Sequence, residues 1–182
     1  MRTWFQRQPK TESPTEIAYA RIVAKARSGV LFRELAVEDT LTGRYEMLVL
    51  HTVLGMRAML RHGPDGREQA RLLVEMLFES LDADFRQQGI GYSRVPKKMA
   101  DAAAGFYGRA KSYGEALDSG DAGKLAEAIR RNVYGTGLPE TATASQKLAR
   151  YAIAADQGLT GQLAAEITSG RLSFPDAMEF VT

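Results

Sequence analysis

The chain has 182 residues, 45% hydrophobic and 25% charged, which is typical of a folded globular domain and not of a disordered chain. A net charge of +2 argues against binding nucleic acid over the whole surface, and the absence of cysteine excludes disulfides, thiol nucleophiles and thiolate metal sites. We expect a flexible basic N-terminus over residues 1–12 and a single helical domain over residues 13–182.

The first predicted helix covers about residues 14–28, where Ser13 supplies an N-cap and Glu16 its capping-box partner. After a connector, Thr40 is placed to cap a second helix, in which apolar residues recur at three- and four-residue spacing up to Leu60. Because this second helix is apolar on most sides, we expect it at the centre of the fold.

Two long helices are predicted next, joined by a structured loop. A turn cluster over residues 62–66 precedes the third helix, which ends at Gln88 and Gly89. The loop runs to Pro96, which can start a fourth helix that ends near Gly120. The third helix is rich in acidic residues and the fourth in basic ones, so the two halves of this hairpin carry opposite charge.

The rest of the chain continues the helical pattern. Asp121 is placed to cap a fifth helix that Gly135 ends, and an alanine-rich sixth helix covers about residues 143–157. A shorter seventh helix covers about residues 161–168, and the tail around Phe174 is suited to pack back on the bundle. Since no segment alternates polar and apolar residues at period two, the expected fold class is all-α, a single-domain bundle of about six to seven helices.

The sequence lacks the motifs of common catalytic and metal sites. Neither histidine follows a glutamate at the spacing of a di-iron bundle, and no phosphate-binding loop or nucleophile elbow occurs. Glu75, Glu79 and Asp82 share one helical face, where two acids could act as an acid–base pair. We expect a salt-linked surface there because Arg71 and Arg86 extend the same face, and we expect no enzyme activity, cofactor or bound metal.

A partner surface is predicted around the basic fourth helix, where aromatic residues lie among the positive charges. RNA is one alternative partner, since basic residues beside aromatic side chains also suit the binding of single-stranded RNA. Another alternative is an internal contact between the acidic and basic helices, which would leave no surface free.

Several motifs resemble one protein family. The run Asp39-Thr40-Leu41-Thr42-Gly43-Arg44-Tyr45, followed by Leu48-Val49-Leu50-His51, is similar to the signature of the ubiquinol-cytochrome c chaperone family. Ala36 stands where the family commonly has glycine. The resemblance spans about residues 14–176, and the lack of an extended transit region is typical of bacterial members. Further similar segments follow in the family's order: Ile22-Val23-Ala24, Gly89-Ile90-Gly91, Val95-Pro96-Lys97-Lys98-Met99, Ala104 to Ala110, Arg131 to Gly135 and Arg171 to Pro175.

The resemblance implies a non-enzymatic chaperone that binds newly synthesised cytochrome b and assists assembly of the ubiquinol-cytochrome c reductase (bc1) complex. We expect it in the cytoplasm, and no DNA partner is expected. Ribosome contact near the tunnel exit and peripheral contact at the inner membrane are further options. The membrane option draws on the basic and aromatic residues near Trp4. The alternative function is an RNA- or ribosome-surface-binding helical module, whose affinity would fall steeply with salt.

A chaperone for a membrane protein needs an apolar surface rimmed by charge. The predicted hairpin offers that mixture, although Met99 and Phe106 share a stripe that also suits a core, so part of the set is expected to be buried. The predicted client-binding surface comprises Phe78, Phe85, Arg86, Tyr92, Arg94, Lys97, Lys98, Met99, Phe106, Tyr107 and Arg109.

A second set of family-motif residues is expected to be structural. His51 lies in the most apolar stretch, where a buried neutral imidazole would have a lowered pKa and need a hydrogen-bond partner. A glycine at position 43 would allow close backbone approach at the start of the second helix. The set comprises Asp39, Thr40, Gly43, Arg44, His51, Gly89 and Gly91.

Overall fold

The structure is a computed structural model that describes residues 12–135 and 140–181. No strand occurs in these ranges, so the predicted all-α class is confirmed. Of the predicted N-terminal segment 1–12, all but the last residue lies outside the described residues. The helices are α1 (Pro14–Ala26), α2 (Gly29–Arg33), α3 (Leu41–Leu60), α4 (Gly63–Gln87), α5 (Val95–Ser119), α6 (Ala122–Ile129), α7 (Glu140–Gly161) and α8 (Ala164–Thr168), with a π-helical turn at Arg130–Tyr134 and a 3₁₀ turn at Ala177–Phe180.

Side-chain caps fix three of the predicted helix starts. Ser13 and Glu16 form the expected capping box. The Ser13 backbone N–H donates to the Glu16 carboxylate at 2.7 Å, and the Glu16 backbone N–H donates to the Ser13 hydroxyl at 3.2 Å. The Thr40 hydroxyl accepts the Gly43 backbone N–H at 3.1 Å. Asp121 accepts a backbone N–H at 2.9 Å, so all three caps are confirmed.

Two connections differ from the prediction. Residues 62–66 are not a separate turn, because α4 begins at Gly63 and includes Pro64 in its first turn, where the missing N–H costs no helical hydrogen bond. A Cβ at Gly66 would lie 2.1 Å from the Met59 carbonyl oxygen, so glycine lets α4 pack directly on the end of α3. The connector before Thr40 contains the short helix α2, which the periodicity of so few residues does not reveal.

The helix α3 is the centre of the bundle, as its apolar sequence predicts. It packs against α1, α4, α5 and α7, and both Leu50 and Val53 are fully enclosed. Burying each such side chain contributes about 1.5–3 kcal/mol, which is why α3 organises the fold. The tail packs back as expected: the Phe174 ring lies 5.3 Å from that of His51, and Phe180 lies 5.8 Å from Tyr151.

The turn after α2 contains a left-handed residue that has a side chain. Ala36 is exposed and has φ 54°, while the Tyr134 hydroxyl donates to the neighbouring Leu35 carbonyl at 2.6 Å and Val37 is buried. A left-handed conformation costs a residue with a Cβ roughly 1–2 kcal/mol, whereas glycine costs about 0.5–1 kcal/mol in unfolded-chain entropy. The turn is therefore strained at Ala36.

We expect Ala36→Gly to raise the free energy of unfolding by about 0.5–1 kcal/mol, because the relieved strain exceeds the added entropy cost. Urea denaturation of the full chain measures the change. The matched control is Ala104→Gly on the exposed face of α5, which should lose about 1 kcal/mol. Similar losses in both variants would contradict the assignment of strain to Ala36.

Candidate functional site

A groove of about 600 Å³ opens between α1, α3, α4 and α5. Ala26 and Leu81 are buried at its floor, and Leu41 stands at its rim with 70% of its surface exposed. Its charged lining residues include Arg27, Arg44, Lys98 and Arg109 together with Asp84 and Asp101. The apolar lining consists of Val23, Ala26, Leu41, Tyr45, Leu48, Leu81, Phe85 and Ala102.

A second cavity, of about 420 Å³, adjoins this groove and has a different character. It is lined by three arginines, and two of them, Arg27 and Arg44, also line the groove. We call it the arginine cavity. Its lining is Arg27, Gly29, Phe32, Arg33, Asp39 and Arg44.

The motif residues at the start of α3 contribute Arg44 to the lining of both cavities. A Cβ at Gly43 would lie 2.0 Å from the Glu38 carbonyl oxygen, so only glycine lets the preceding turn cross the helix there. Arg44 then reaches back and donates from Nε to Asp39 at 2.6 Å, a bond that holds the pKa of this carboxyl below its usual range. The cap and the close approach support the structural interpretation of Thr40 and Gly43, while Arg44 also faces both cavities.

Two polar contacts join α3 to α5 at the groove. The Tyr45 hydroxyl donates to the Ala102 carbonyl at 3.3 Å, and burial raises the pKa of this tyrosine. Arg109 donates to both carboxylate oxygens of Glu46, at 2.7 and 2.5 Å, and to the Gly105 carbonyl at 3.0 Å. Glu46 is 2% exposed, so burial raises its pKa while the guanidinium opposes that change.

His51 lies in the core and does not line the groove. Its Nδ1 lies 2.7 Å from the Met47 carbonyl and its Nε2 lies 2.7 Å from the Tyr151 hydroxyl. This pattern assigns the neutral tautomer in which Nδ1–H donates and Nε2 accepts. Burial lowers the pKa of His51 to about 4, in agreement with the buried, hydrogen-bonded role that its sequence position indicates.

The predicted client-binding residues divide between the groove and its surroundings. Phe85, Lys98 and Arg109 line the groove, and the Lys98 ammonium lies 5.8 Å from the centre of the Phe85 ring. Arg86 pairs with Asp82 at 2.5 Å and lies 5.3 Å from the Tyr92 ring, outside the groove. The remaining exposed members are Tyr92, Arg94, Lys97 and Tyr107, of which the two tyrosines are 83% and 60% exposed.

Phe106 requires a correction, because it is fully buried and offers no surface to a client. Its ring packs edge-to-face on Phe78 at 5.7 Å and on Tyr107 at 5.4 Å. Met99 and Phe78 are partly buried against the same core. The reason is helical spacing, which turns the stripe of Met99, Phe106 and Tyr113 inward, so these residues support the surface from beneath.

Sequence reasoning missed part of the groove. Leu41 and Tyr45 of the family motif share one helical stripe with Leu48, yet the apolar character of the helix led us to expect Tyr45 and Leu48 in the core. Arg27 was also missed, because nothing in its local sequence shows that the end of α1 lies beside the start of α3. The available signal was this apolar stripe, which begins within the motif.

The acids of α4 form the salt-linked surface that we expected. Glu75 bonds to Arg71, and Asp82 bonds to Arg86, which lowers the pKa of Asp82. Glu75, Glu79 and Asp82 line neither the groove nor the arginine cavity, and none of the described ion pairs joins α4 to α5. In the part of the chain that the structure describes, no cluster of side chains could hold a metal ion. Over the same residues, no helix combines the length and hydropathy needed to cross a bilayer.

The fold and the site define the class of the protein: an all-α bundle with an amphipathic groove between four of its helices. The model of the family described as ubiquinol-cytochrome C chaperone matches residues 33–174, and the chain belongs to this family. The resemblance found in the motifs is thereby confirmed.

Two known proteins are similar to this chain. It is 26% identical over 116 residues to ubiquinol-cytochrome c reductase complex assembly factor 1 of Mus musculus. That match covers 64% of this chain and 39% of the mouse protein, so the chain corresponds to less than half of its relative. The crystal structure of the Cbp3 homolog from Brucella abortus matches with a TM-score of 0.82 and 33% identity, over 91% of each chain.

Proposed function

We propose that this protein is a non-enzymatic assembly chaperone of the bc1 complex and that it binds newly synthesised cytochrome b in the groove. Membership of the family supports the assembly role, as does the likeness to a mouse protein named as an assembly factor of this complex. The observation that carries the groove assignment is that a family-motif residue, which we expected to be structural, lines the same cavity as part of the predicted client surface. Arg44 of the family motif and Phe85 and Lys98 of the predicted client surface line one cavity.

The groove has the physical properties that such a client requires. A membrane-protein segment outside the bilayer exposes apolar side chains, and each Å² withdrawn from water contributes about 25 cal/mol. The half-buried Tyr45 and Leu48 offer a floor for such contacts, while Lys98 and Asp101 at the edge keep the apolar area from attracting further copies of the chaperone. Binding of this kind is reversible and needs no covalent step.

We also propose a cytoplasmic location, with ribosome contact near the tunnel exit and peripheral contact at the inner membrane as further options. The membrane option draws on the basic and aromatic residues near Trp4. The alternative, an RNA- or ribosome-surface-binding module, differs in its salt dependence. Binding through phosphate contacts weakens steeply as salt increases, whereas apolar burial in the groove does not.

The test compares two exposed leucines that differ in position. Leu41 at the rim of the groove and Leu163 before α8 are each 70% exposed, and Leu163 lines neither cavity. We replace each with a photo-crosslinking amino acid in cells that assemble the bc1 complex, and identify the products by mass spectrometry. We expect cytochrome b to crosslink from position 41 and not from position 163.

A substitution gives the same comparison in quantitative form. Leu41→Asp should reduce capture of cytochrome b about tenfold, since burying a leucine contributes about 1.5–3 kcal/mol, and Leu163→Asp should leave capture unchanged. Equal crosslinking from the two positions would refute the groove as the client site. Ribosomal RNA or ribosomal protein at position 41, without cytochrome b, would favour the alternative function.

A further inference from the structure

We propose that the groove and the arginine cavity form one continuous trough that selects client segments in which a carboxylate lies beside an apolar run. This inference rests on the proposed function and specifies which polypeptide segments the site accepts. The partner chemistry is an amphipathic peptide with an acidic end.

The two cavities adjoin, because they share side chains. Arg27, at the end of α1, and Arg44, in the first turns of α3, each line both of them. The groove of about 600 Å³ is mainly apolar at its floor, and the adjoining arginine cavity of about 420 Å³ adds Arg33 and the Phe32 ring. An occupant that extends along the trough therefore passes from an apolar section to a cationic one.

The arginines of the cationic section are available to a partner. Arg44 is held by Asp39, but Arg27 and Arg33 form no ion pair among those that the structure describes. The Arg33 guanidinium lies over Gly29, where a Cβ would approach its Nη1 to 2.5 Å, so glycine leaves the space that this side chain occupies. An unpaired guanidinium suits a carboxylate, which it can bind through two parallel hydrogen bonds.

The acidic residues of the lining make the two ends of the trough differ in charge. Asp39 is already bonded to Arg44, and Asp84 and Asp101 lie on the α4 and α5 walls with Lys98. Lys98 therefore shares its walls with two carboxylates, whereas no acidic residue of the lining lies on the α1 and α2 wall with Arg27 and Arg33. Charge complementarity places the acidic end of a bound segment there and its apolar residues over the groove.

A peptide fits this lining better than a lipid does. An acyl chain with a phosphate head could also combine apolar and anionic parts, but an acyl chain offers no hydrogen-bond donor to the carboxylates of Asp84 and Asp101 at the groove wall. The same carboxylates can accept hydrogen bonds from the backbone N–H groups of a peptide.

The test uses two short synthetic peptides with the same alternating leucine and alanine run, one flanked by two aspartates and the other by two asparagines. Binding of each to the full chain is measured by fluorescence anisotropy. We expect the aspartate peptide to bind about tenfold more tightly, as one or two charge-assisted hydrogen bonds would give. The double variant Arg27→Gln, Arg33→Gln should lose this preference. The control Arg67→Gln, at an exposed arginine of α4 outside both cavities, should keep it.

Equal affinity of the two peptides for the unaltered protein would overturn the inference, as would an undiminished preference in the double variant. A double variant that loses binding to phosphatidylglycerol vesicles but keeps the peptide preference would assign the arginines to a membrane and also overturn it. Circular dichroism checks that each variant is folded. If crosslinking of cytochrome b from position 41 persists while the peptide preference is absent, the inference fails alone. If the preference is present without that crosslink, the proposed function fails instead.

Discussion

Replacing Arg109 with alanine should lower the free energy of unfolding by about 4 kcal/mol, because the substitution leaves a carboxylate buried without a partner. Glu46 is 2% exposed, and Arg109 donates to both of its oxygens. Without the guanidinium, Glu46 must either remain charged in a poorly solvated site or take up a proton. Burial already raises its pKa, and the variant should raise it further because the opposing charge is gone.

Urea denaturation of three variants measures this effect and separates its causes. Lys111→Ala, on the exposed face of the same helix, should change stability by less than about 0.5 kcal/mol. The double variant Glu46→Met, Arg109→Met removes both charges, and it should recover most of the loss since a buried ion pair can be replaced by apolar side chains at little cost. A loss for Arg109→Ala no larger than that for Lys111→Ala would show that the pair contributes little.

This result bears on the client surface as well. Arg109 was predicted as a client contact, and it does line the groove, but its guanidinium is bound to Glu46. A client-binding defect in an Arg109 variant would therefore be explained first by the disturbed groove wall, and not by loss of a direct contact between Arg109 and the client. Lys98, which is exposed, is the better position for testing a direct charge contact.

Acidification from pH 7 to pH 5 should lower the stability of the protein by about 2 kcal/mol through His51 alone. The pKa of this residue is about 4 in the folded protein and ordinarily 6.5, because burial disfavours the charged ring and Lys25 adds a smaller effect in the same direction. Between these values the unfolded chain binds more protons than the folded one. Stability is therefore complete above about pH 6.5 and falls as the pH drops toward 4.

The measurement is the free energy of unfolding at several values between pH 5 and pH 7, for the unaltered protein and for His51→Gln. The difference between them isolates His51 from carboxyl groups such as Glu46, whose raised pKa acts in the opposite direction. His51→Gln should be less stable at pH 7, since it disturbs the contacts with Met47 and Tyr151, but should lack the pH-dependent part. His62→Gln is the control and should keep the same pH dependence of stability as the unaltered protein. An unchanged pH dependence in His51→Gln would contradict the assignment.

The parts of the fold that follow from local interactions were predictable from the sequence. The caps at Ser13, Thr40 and Asp121 each satisfy a backbone N–H within a few residues, so a short sequence window contains all the information. The helix α2 was missed because its five residues are too few to show a period.

The groove was only partly predictable because its walls come from helices that are distant in sequence. An amphipathic pattern shows that Met99 and Phe106 share one stripe of α5, but it does not show which neighbouring helix covers that stripe. Phe106 was predicted on the surface and is buried, and Leu48 shows the reverse. Leu48 was expected in the core because α3 is apolar on most sides, yet it is only half-buried and lines the groove. Which side of a helix stays uncovered is decided by tertiary packing.

The groove walls are helices and not loops, and the Tyr45–Ala102 and Glu46–Arg109 contacts lock two of them together. As the proposed client site, the groove is thus pre-organised, and almost all the conformational entropy lost on binding would be lost by the client, at about 1–2 kcal/mol for each residue that becomes fixed. A bound segment that gains few contacts per residue is consequently held weakly and exchanges readily. Release then needs no rearrangement of the chaperone, since a client that can bury the same apolar residues in its own fold will leave by mass action.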